Sequence, residues 1–306
     1  MTSQTPIAET IKDLSQELLL ALAQAKARLL AEDPESSRPL TVGFVPTMGA
    51  LHEGHATLIR RAREQNDVVL LSIFVNPLQF GPGEDYERYP RTLEADAALA
   101  AAEGVDLIFA PSVEAMYPGG DPKITVSSGK LGTIFEGKTR PGHFDGVLTV
   151  VNKFFNILLP LTLPQDAQLT AYFGQKDAQQ LALIQRMVKD FNQQITLKSV
   201  PVVRADDGLA LSSRNQYLTE QEREAALVLS RTLATLREKY ITGTLGPDAL
   251  DQARAAIDST EGVRLDYLEV VDTDTFEAPT SDQARVLALV AAFVGSTRLI
   301  DNMDIN

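Results

Sequence analysis

TVGFVPTMGALHEGHATLIRRAREQ, residues 41–65, sets the reading of the chain. The apolar run Thr41 to Pro46 reads as a strand. MGALHEGH, Met48 to His55, reads as a glycine-bearing turn, and ATLIRRAREQ as the helix that follows. Backbone N–H groups at a helix N-terminus point outward with partial positive charge, so such a turn is a place to hold phosphates. Gly49 and Gly54 let a nucleotide approach where a Cβ would block it. His52 and His55 are two of only three histidines. Their imidazoles can donate to phosphate oxygens, and their charge can change near neutral pH. Three other readings compete. Zinc on a helix wants histidines at i and i+4 with a third ligand, whereas these stand at i and i+3 in a chain with no cysteine. A dinucleotide fingerprint needs G-x-G-x-x-G spacing, which is absent. A plain helix-capping pair is the reading that a lone HxxH favours.

Outward from this stretch, strands and helices alternate. Residues 7–30 read as an amphipathic helix, broken by EDPESSRP. VVLLSIFV (68–75) suits a strand buried on both faces. A helix over 91–103, a strand over 106–111 and an edge strand over 123–128 are expected next. A helix over 145–159 follows, stopped by Pro160. LTAYFG (169–174) leads into a helix over 177–190, and ITLKSVPVV is a sixth strand. The alternation predicts an α/β fold with a doubly wound parallel sheet, whose ligands bind beyond the C-terminal strand ends. After about Val203 the pattern changes. Helices over 219–239 (with Thr219 and Glu222 spaced as a capping box) and 248–259 precede three strand-like segments, as in a smaller α+β domain.

Composition narrows the function classes. The 306 residues are 44% hydrophobic and carry a net charge of −13, so a nucleic-acid groove is not expected. Without cysteine there are no disulfides and no thiolate chemistry. The N-terminus lacks the basic start of a signal peptide, and no apolar run reads as long enough to span a bilayer. A cytoplasmic enzyme with no membrane partner is the expectation.

Four further motifs carry polar chemistry. IFVNPLQFGPGEDYERYPR places Asn76 and Gln79 after a buried strand, where their amides suit hydroxyls and carboxylates. The loop over 80–90 reads as a lid or a plain surface loop. EGKTRPGHFDGV sets Arg140 and His143 before a helix. YFGQKDAQQ ends a strand at Gly174 and opens a helix with Gln175, Lys176 and Asp177, with Gln180 one turn on; lysine there is a point charge for phosphate. RADDGLALSSRN offers Ser212, Ser213 and Arg214 as a flexible phosphate clamp. Each alone also reads as a solvated turn.

Together these five motifs, in this order, resemble the pantoate–β-alanine ligase family within the HxGH nucleotidyltransferases, from about Val42 to Asn215. The resemblance implies a Rossmann-like nucleotide- and pantoate-binding domain over 1–202 with an N-terminal helical extension, and a C-terminal domain over 203–306 closing over the ATP site. It implies joining of pantoate to β-alanine through a pantoyl adenylate, with release of AMP and pyrophosphate. His55 would be the proton donor, with His52 and Lys176 beside it on the phosphates. Met48, Gly49, Ala50, Leu51, Glu53 and Gly54 would line the ATP site with Gly174 to Asp177, Val203 and Leu211 to Arg214. Gln79 would hold pantoate and face β-alanine, Gln180 would hold pantoate, and Asn76, Arg140 and His143 would add substrate contacts. Mg²⁺ would ride on the ATP phosphates, with Asp96 as an outer contact, and the protein would be a homodimer. Leu211 and Gln175 depart from the Met and Glu usual in the family, both tolerably. Two alternatives remain at this point: a nucleotidyltransferase acting on another small acid or phosphate, and a non-catalytic nucleotide-binding protein.

Overall fold

The structure, a computed structural model, describes residues 5–273, 275–280 and 285–306. The chain forms two compact units, one holding the residues up to 173 together with 183–200, the other 174–182 together with 201–306. The first unit is built on strands β1 (Ile7–Ala8), β2 (Leu40–Thr47), β3 (Val68–Ile73), β4 (Leu107–Phe109), β5 (Ala167–Gly174) and β6 (Ile195–Val200), in the spatial order β1-β4-β3-β2-β5-β6. The pairs β1–β4, β4–β3, β3–β2 and β2–β5 are parallel. The strand order reverses beside β2, so the turn after β2 lies at the point where such sheets bind ligands.

Helices α1 (Ile11–Glu32), α2 (Glu53–Gln65) and α3 (Leu93–Ala102), the short helices α4 (Val113–Met116) and α5 (Glu136–Thr139), then α6 (His143–Thr162) and α7 (Ala178–Asp190) connect the strands. Alternation along each strand divides the core. Val45, Val69, Leu71 and Ile108 face Leu58, Ile59 and Ala62 of α2 and Ala100 of α3. Residues of opposite parity meet α6, where the Phe154 ring packs edge-on against Phe44 at 5.5 Å and Phe109 at 6.2 Å. Truncating a buried Phe in such a cluster costs about 3–5 kcal/mol.

Four expectations need correction. The N-terminal helix starts at Ile11, not residue 7, because the Thr10 side chain caps it, while Ile7 and Ala8 pair with Ile108 and Phe109 as an edge strand. Residues 123–128 form no strand: Val126 N–H donates to Thr149 Oγ1 and Ser128 N–H to Asp145, so α6 side chains take the place of a neighbouring strand. Pro160 lies inside the last turn of α6, where Thr162 Oγ1 donates back to the Leu158 and Leu159 carbonyls. Finally, α6 with the residues just after it is long and apolar enough to cross a membrane by composition. More than half of that stretch is buried inside the protein, as in the core helix of a globular domain.

The second unit carries α8 (Glu220–Ile241) and α9 (Pro247–Asp258) on an antiparallel sheet, β7 (Val263–Asp272), β8 (Val286–Val294) and β9 (Thr297–Asp304), in the order β7-β8-β9. The capping box holds: Thr219 and Glu222 accept from each other's backbone N–H groups. Ala226, Leu229, Leu233 and Leu236, at helical spacing, pack with Ala288, Val290 and Ala292, at strand spacing.

Candidate active site

The turn after β2 is fixed from within. Gly49 (φ +86°) and Ala50 (φ +49°) both adopt left-handed backbone, which suits glycine and strains alanine. Asp96 on α3 holds them there. It is 3% exposed, and its Oδ2 accepts from Ala50 N–H at 3.0 Å while Oδ1 accepts from Leu51 N–H at 2.8 Å. Thr92 Oγ1 donates to Asp96 as well, at 3.2 Å. Three of the acceptor positions of Asp96 thus organise the turn and its own helix.

The amides of the turn are occupied as well. The amides of Gly49, Ala50, Leu51, His52 and Gly54 all donate within the turn, to Thr47, Asp96, His55 and His52. His52 is the N-cap of α2, its Nδ1 accepting from Gly54 N–H at 3.1 Å, and His55 Nδ1 accepts from His52 N–H at 3.3 Å, forming a histidine capping box. A nitrogen that accepts carries no proton, so both neutral rings are Nε2–H tautomers. The rings lie 4.1 Å apart, centroid to centroid. Capping uses the Nδ1 atoms and leaves the Nε2–H groups on the opposite side of each ring. Glu53 turns its carboxylate to Arg60 at 2.8 Å.

A second cluster surrounds Gln79, which ends a single 3-10 turn, Pro77–Gln79, after β3. Gln79 Nε2 lies 3.0 Å from Met48 Sδ, so these two expected site residues meet. An added Cβ on Gly146 would overlap the Leu78 carbonyl, so glycine there is what lets α6 press against this turn. Asn76, expected at the substrate, is 1% exposed and bonded to Gly146, Gln79, Leu78 and Tyr117. It has no bonding capacity left for a ligand. Burial pushes the Tyr117 phenol up, so it stays a donor.

Arg140 and His143 are likewise committed. Arg140 forks onto Glu84 at 2.9 and 2.6 Å and donates to the Gln79 carbonyl at 3.3 Å and to His143 Nε2 at 3.0 Å. His143 Nδ1 donates to the same carbonyl at 2.8 Å. Burial first, and the Arg140 charge second, push His143 down to about 4, so the ring is neutral at physiological pH. Burial works against the Glu84 carboxylate, but the bonds and charge of Arg140 hold it below its ordinary range. Both residues thus brace the main chain of Gln79. Glu84 also ties down the loop read as a lid, whose Phe80 packs on Tyr86 and Tyr89 at 5.4 and 5.9 Å.

In the second unit, Gln175, Lys176 and Asp177 form a 3-10 turn after Gly174, and Gln180 sits half-buried in the first turn of α7. Asn302 on β9 anchors the 3-10 turn, donating to the Gln175 and Lys176 carbonyls at 2.9 and 2.7 Å. Asp301 next to it forks onto Arg204. Lys176 Nζ stands 4.0 Å from Asp177, a weak pairing that suits a point charge for phosphate. Lys176, Ser212, Asn215 and Asp301 line one small cavity with apolar residues around them. A tight hairpin delivers Leu211 to Arg214: Arg204 bridges Ala210, and Leu211 N–H donates to the Val203 carbonyl at 2.9 Å. Ser212 Oγ accepts from Arg214 N–H at 3.3 Å and caps the turn that contains Ser213.

Sequence reasoning missed Tyr117, Glu84, Gly146 and Asn302. Tyr117 lies in MYPGG, which carries no motif, and Glu84 in the loop read as a lid or a surface loop; only the fold brings them to the cluster around Gln79. Among the described residues, no three His, Asp or Glu gather as a metal centre.

The match to known proteins covers both units. Residues 18–304 match the Pantoate-beta-alanine ligase family. The pantothenate synthetase of Paenarthrobacter aurescens is 53% identical over 290 residues, 92% of this chain and 96% of that protein. That of Corynebacterium efficiens is 50% identical over 294 residues, 94% of this chain and 99% of its own length. Among solved structures, the Thermus thermophilus enzyme aligns at TM-score 0.83 with 43% identity, covering 98% of this chain and 99% of that one. The Francisella tularensis pantoate-beta-alanine ligase, complexed with beta-gamma ATP and beta-alanine, aligns at 0.72 with 34% identity, covering 98% and 97%. With a turn that pairs two capped imidazoles after β2 and relatives of this closeness along nearly its whole length, the chain belongs to the pantoate–β-alanine ligase family.

Proposed function

We propose that this chain joins (R)-pantoate to β-alanine using ATP, by way of a pantoyl adenylate. The pantoate carboxylate attacks the α-phosphorus and pyrophosphate leaves. The β-alanine amine then attacks the activated carbonyl, the C–O bond to AMP breaks, and the amide forms. Such a displacement needs alignment and charge stabilisation more than covalent help from the protein. The Nε2–H groups of His52 and His55 donate hydrogen bonds to the phosphates, with His55 stabilising the charge that develops on the leaving oxygen. Lys176 supplies a point charge, and Ser212, Ser213 and Arg214 clamp the nucleotide together with Gly174, Val203 and Leu211. Gln79 and Gln180 hold pantoate. A preorganised donor of this kind is worth about 10²–10³ in turnover. Mg²⁺ carried on the ATP phosphates would supply charge neutralisation there, in keeping with its preference for phosphates plus water over an all-protein cage.

The family match over residues 18–304 carries this reading, with the ATP and β-alanine complex of the Francisella relative in support. The test is pantoate-dependent exchange of pyrophosphate into ATP in the absence of β-alanine. Exchange supports the adenylate; formation of ADP in place of AMP refutes it. A cytoplasmic homodimer belongs to the same proposal, and light scattering in solution tests its stoichiometry.

A further inference from the structure

Asn76 has four side-chain bonding positions, and two of its partners are backbone groups whose roles cannot be exchanged. The Gly146 carbonyl only accepts, so Asn76 Nδ2 must face it, at 3.1 Å. Leu78 N–H only donates, so Oδ1 must face it, at 3.4 Å. The main chain therefore fixes which way the amide points, and that polarity passes to its neighbours. The Tyr117 hydroxyl, 2.8 Å from Oδ1, has to donate. The Gln79 atom 3.2 Å from Nδ2 has to accept, so it is the carbonyl oxygen Oε1. Gln79 Nε2 is then turned away from Asn76 and, among the described residues, meets only a thioether sulfur, Met48 Sδ, at 3.0 Å. Thioether sulfur is a weak acceptor, and a substrate oxygen is a far better partner for those N–H groups.

We infer that Tyr117 and Asn76 are positioning residues that lock Gln79 as a hydrogen-bond donor, so that this part of the site selects a substrate oxygen, carboxylate or hydroxyl, over a donor group. The inference rests on the reading of Gln79 as a pantoate contact. Tyr117, at 3% exposure, works entirely through Asn76. Its hydroxyl occupies the second lone pair of Oδ1 and so opposes reversal of the amide.

Steady-state kinetics and thermal midpoints of three full-length variants test this. Tyr117→Phe keeps the buried ring and removes one bond, so the KM for pantoate should rise about ten-fold, with the KM for ATP and the midpoint close to the parent's. Asn76→Asp places a carboxylate oxygen against Gln79 Oε1. The Gln79 amide must reverse and present its carbonyl outward, and the KM for pantoate should rise roughly a hundred-fold. Should Asn76→Asp fail to fold, Tyr117→Phe alone decides. Gln79→Ala separates the two layers of argument. If it leaves the pantoate KM unchanged, Gln79 is not the contact and the underlying reading falls. If it raises that KM while Tyr117→Phe leaves it unmoved, or moves the KM values for pantoate and ATP alike, the positioning inference is wrong by itself.

Discussion

The two segments proposed to handle phosphate are held in opposite ways. In the first unit, residues 48–55 have their amides tied to Asp96, Thr47 and each other's imidazoles, on a strained backbone that a 3%-exposed carboxylate stabilises. In the second, residues 211–214 sit on a short hairpin and a serine-capped 3-10 turn, with Asn215 and Gln216 side chains donating to the Ala210 and Ser213 carbonyls, and all four are half-exposed. Preorganisation is worth most where charge develops in the transition state. Adaptability suits a group that must admit and release a nucleotide. The first segment therefore fits a fixed electrostatic frame, and the second a clamp.

The largest effect should come from breaking the fixed frame at its chemical end alone. His55→Gln keeps an acceptor at the third helical position, where Gln serves a capping box as well as any residue, so stability should hold. It replaces the ring Nε2–H, held in place by the capping bond, with a flexible amide N–H₂ beside the accepting oxygen, and kcat should fall by about 10³-fold. Single-turnover measurement of adenylate formation reads this directly. If instead stability collapses and the surviving protein turns over normally, the ring at position 55 only caps the helix.

Next comes pH, which separates buried bracing from an exposed clamp. The native value of His143, about 4, lies below its ordinary 6.5. Between those limits the unfolded chain binds the extra proton and the native state does not, so acid favours unfolding. Stability should be level above pH 6.5 and fall by about 3 kcal/mol on the way to pH 4. Glu84 acts in the same direction at lower pH, because its depressed native value contributes stability that is lost as pH falls through it. Denaturant midpoints across this range measure the slope, and His143→Gln, which does not titrate, should flatten its upper part.

Asp96→Asn tests the strained turn itself. One carboxylate oxygen becomes an amide N–H₂ that confronts a backbone N–H, and the cost should be about 2 kcal/mol of stability. Ala50→Gly in the same background should restore part of it, because glycine adopts φ +49° without strain. If Ala50→Gly restores nothing, Asp96 holds something other than this backbone conformation.

The sequence made the fixed frame legible only in part, for a physical reason. Strands β2 and β3, the helix after His52 and the second-unit helices announce themselves by apolar period and cap residues, which are local signals. The identity of the donors does not. MGALHEGH advertises outward amides, and only the fold brings Asp96, 46 residues from Ala50, to consume them. Asn76, Arg140 and His143 carry the right chemistry for a substrate, yet the fold spends it on Gln79 and its main chain. The KITVSS segment has strand propensity, but α6 supplies Thr149 and Asp145 where a ladder would need another strand. Polar partners separated by tens of residues leave no period to read.

The smallest effect belongs to the clamp. Ser212→Ala removes one cap on a 3-10 turn that is partly solvated, and a cap of that kind is worth about 0.5–1 kcal/mol at most. The hairpin below it, with Arg204 forked onto Asp301, is untouched, so global stability should hardly move. The KM for ATP should rise a few-fold, since the loop must be ordered at the moment of binding instead of beforehand. The variant therefore weighs the two segments against each other. A few-fold effect on ATP with kcat preserved marks a clamp that closes on its ligand. A loss of kcat as deep as that of His55→Gln would mean that this loop too is part of the fixed frame, and that the contrast between the two segments is one of exposure alone.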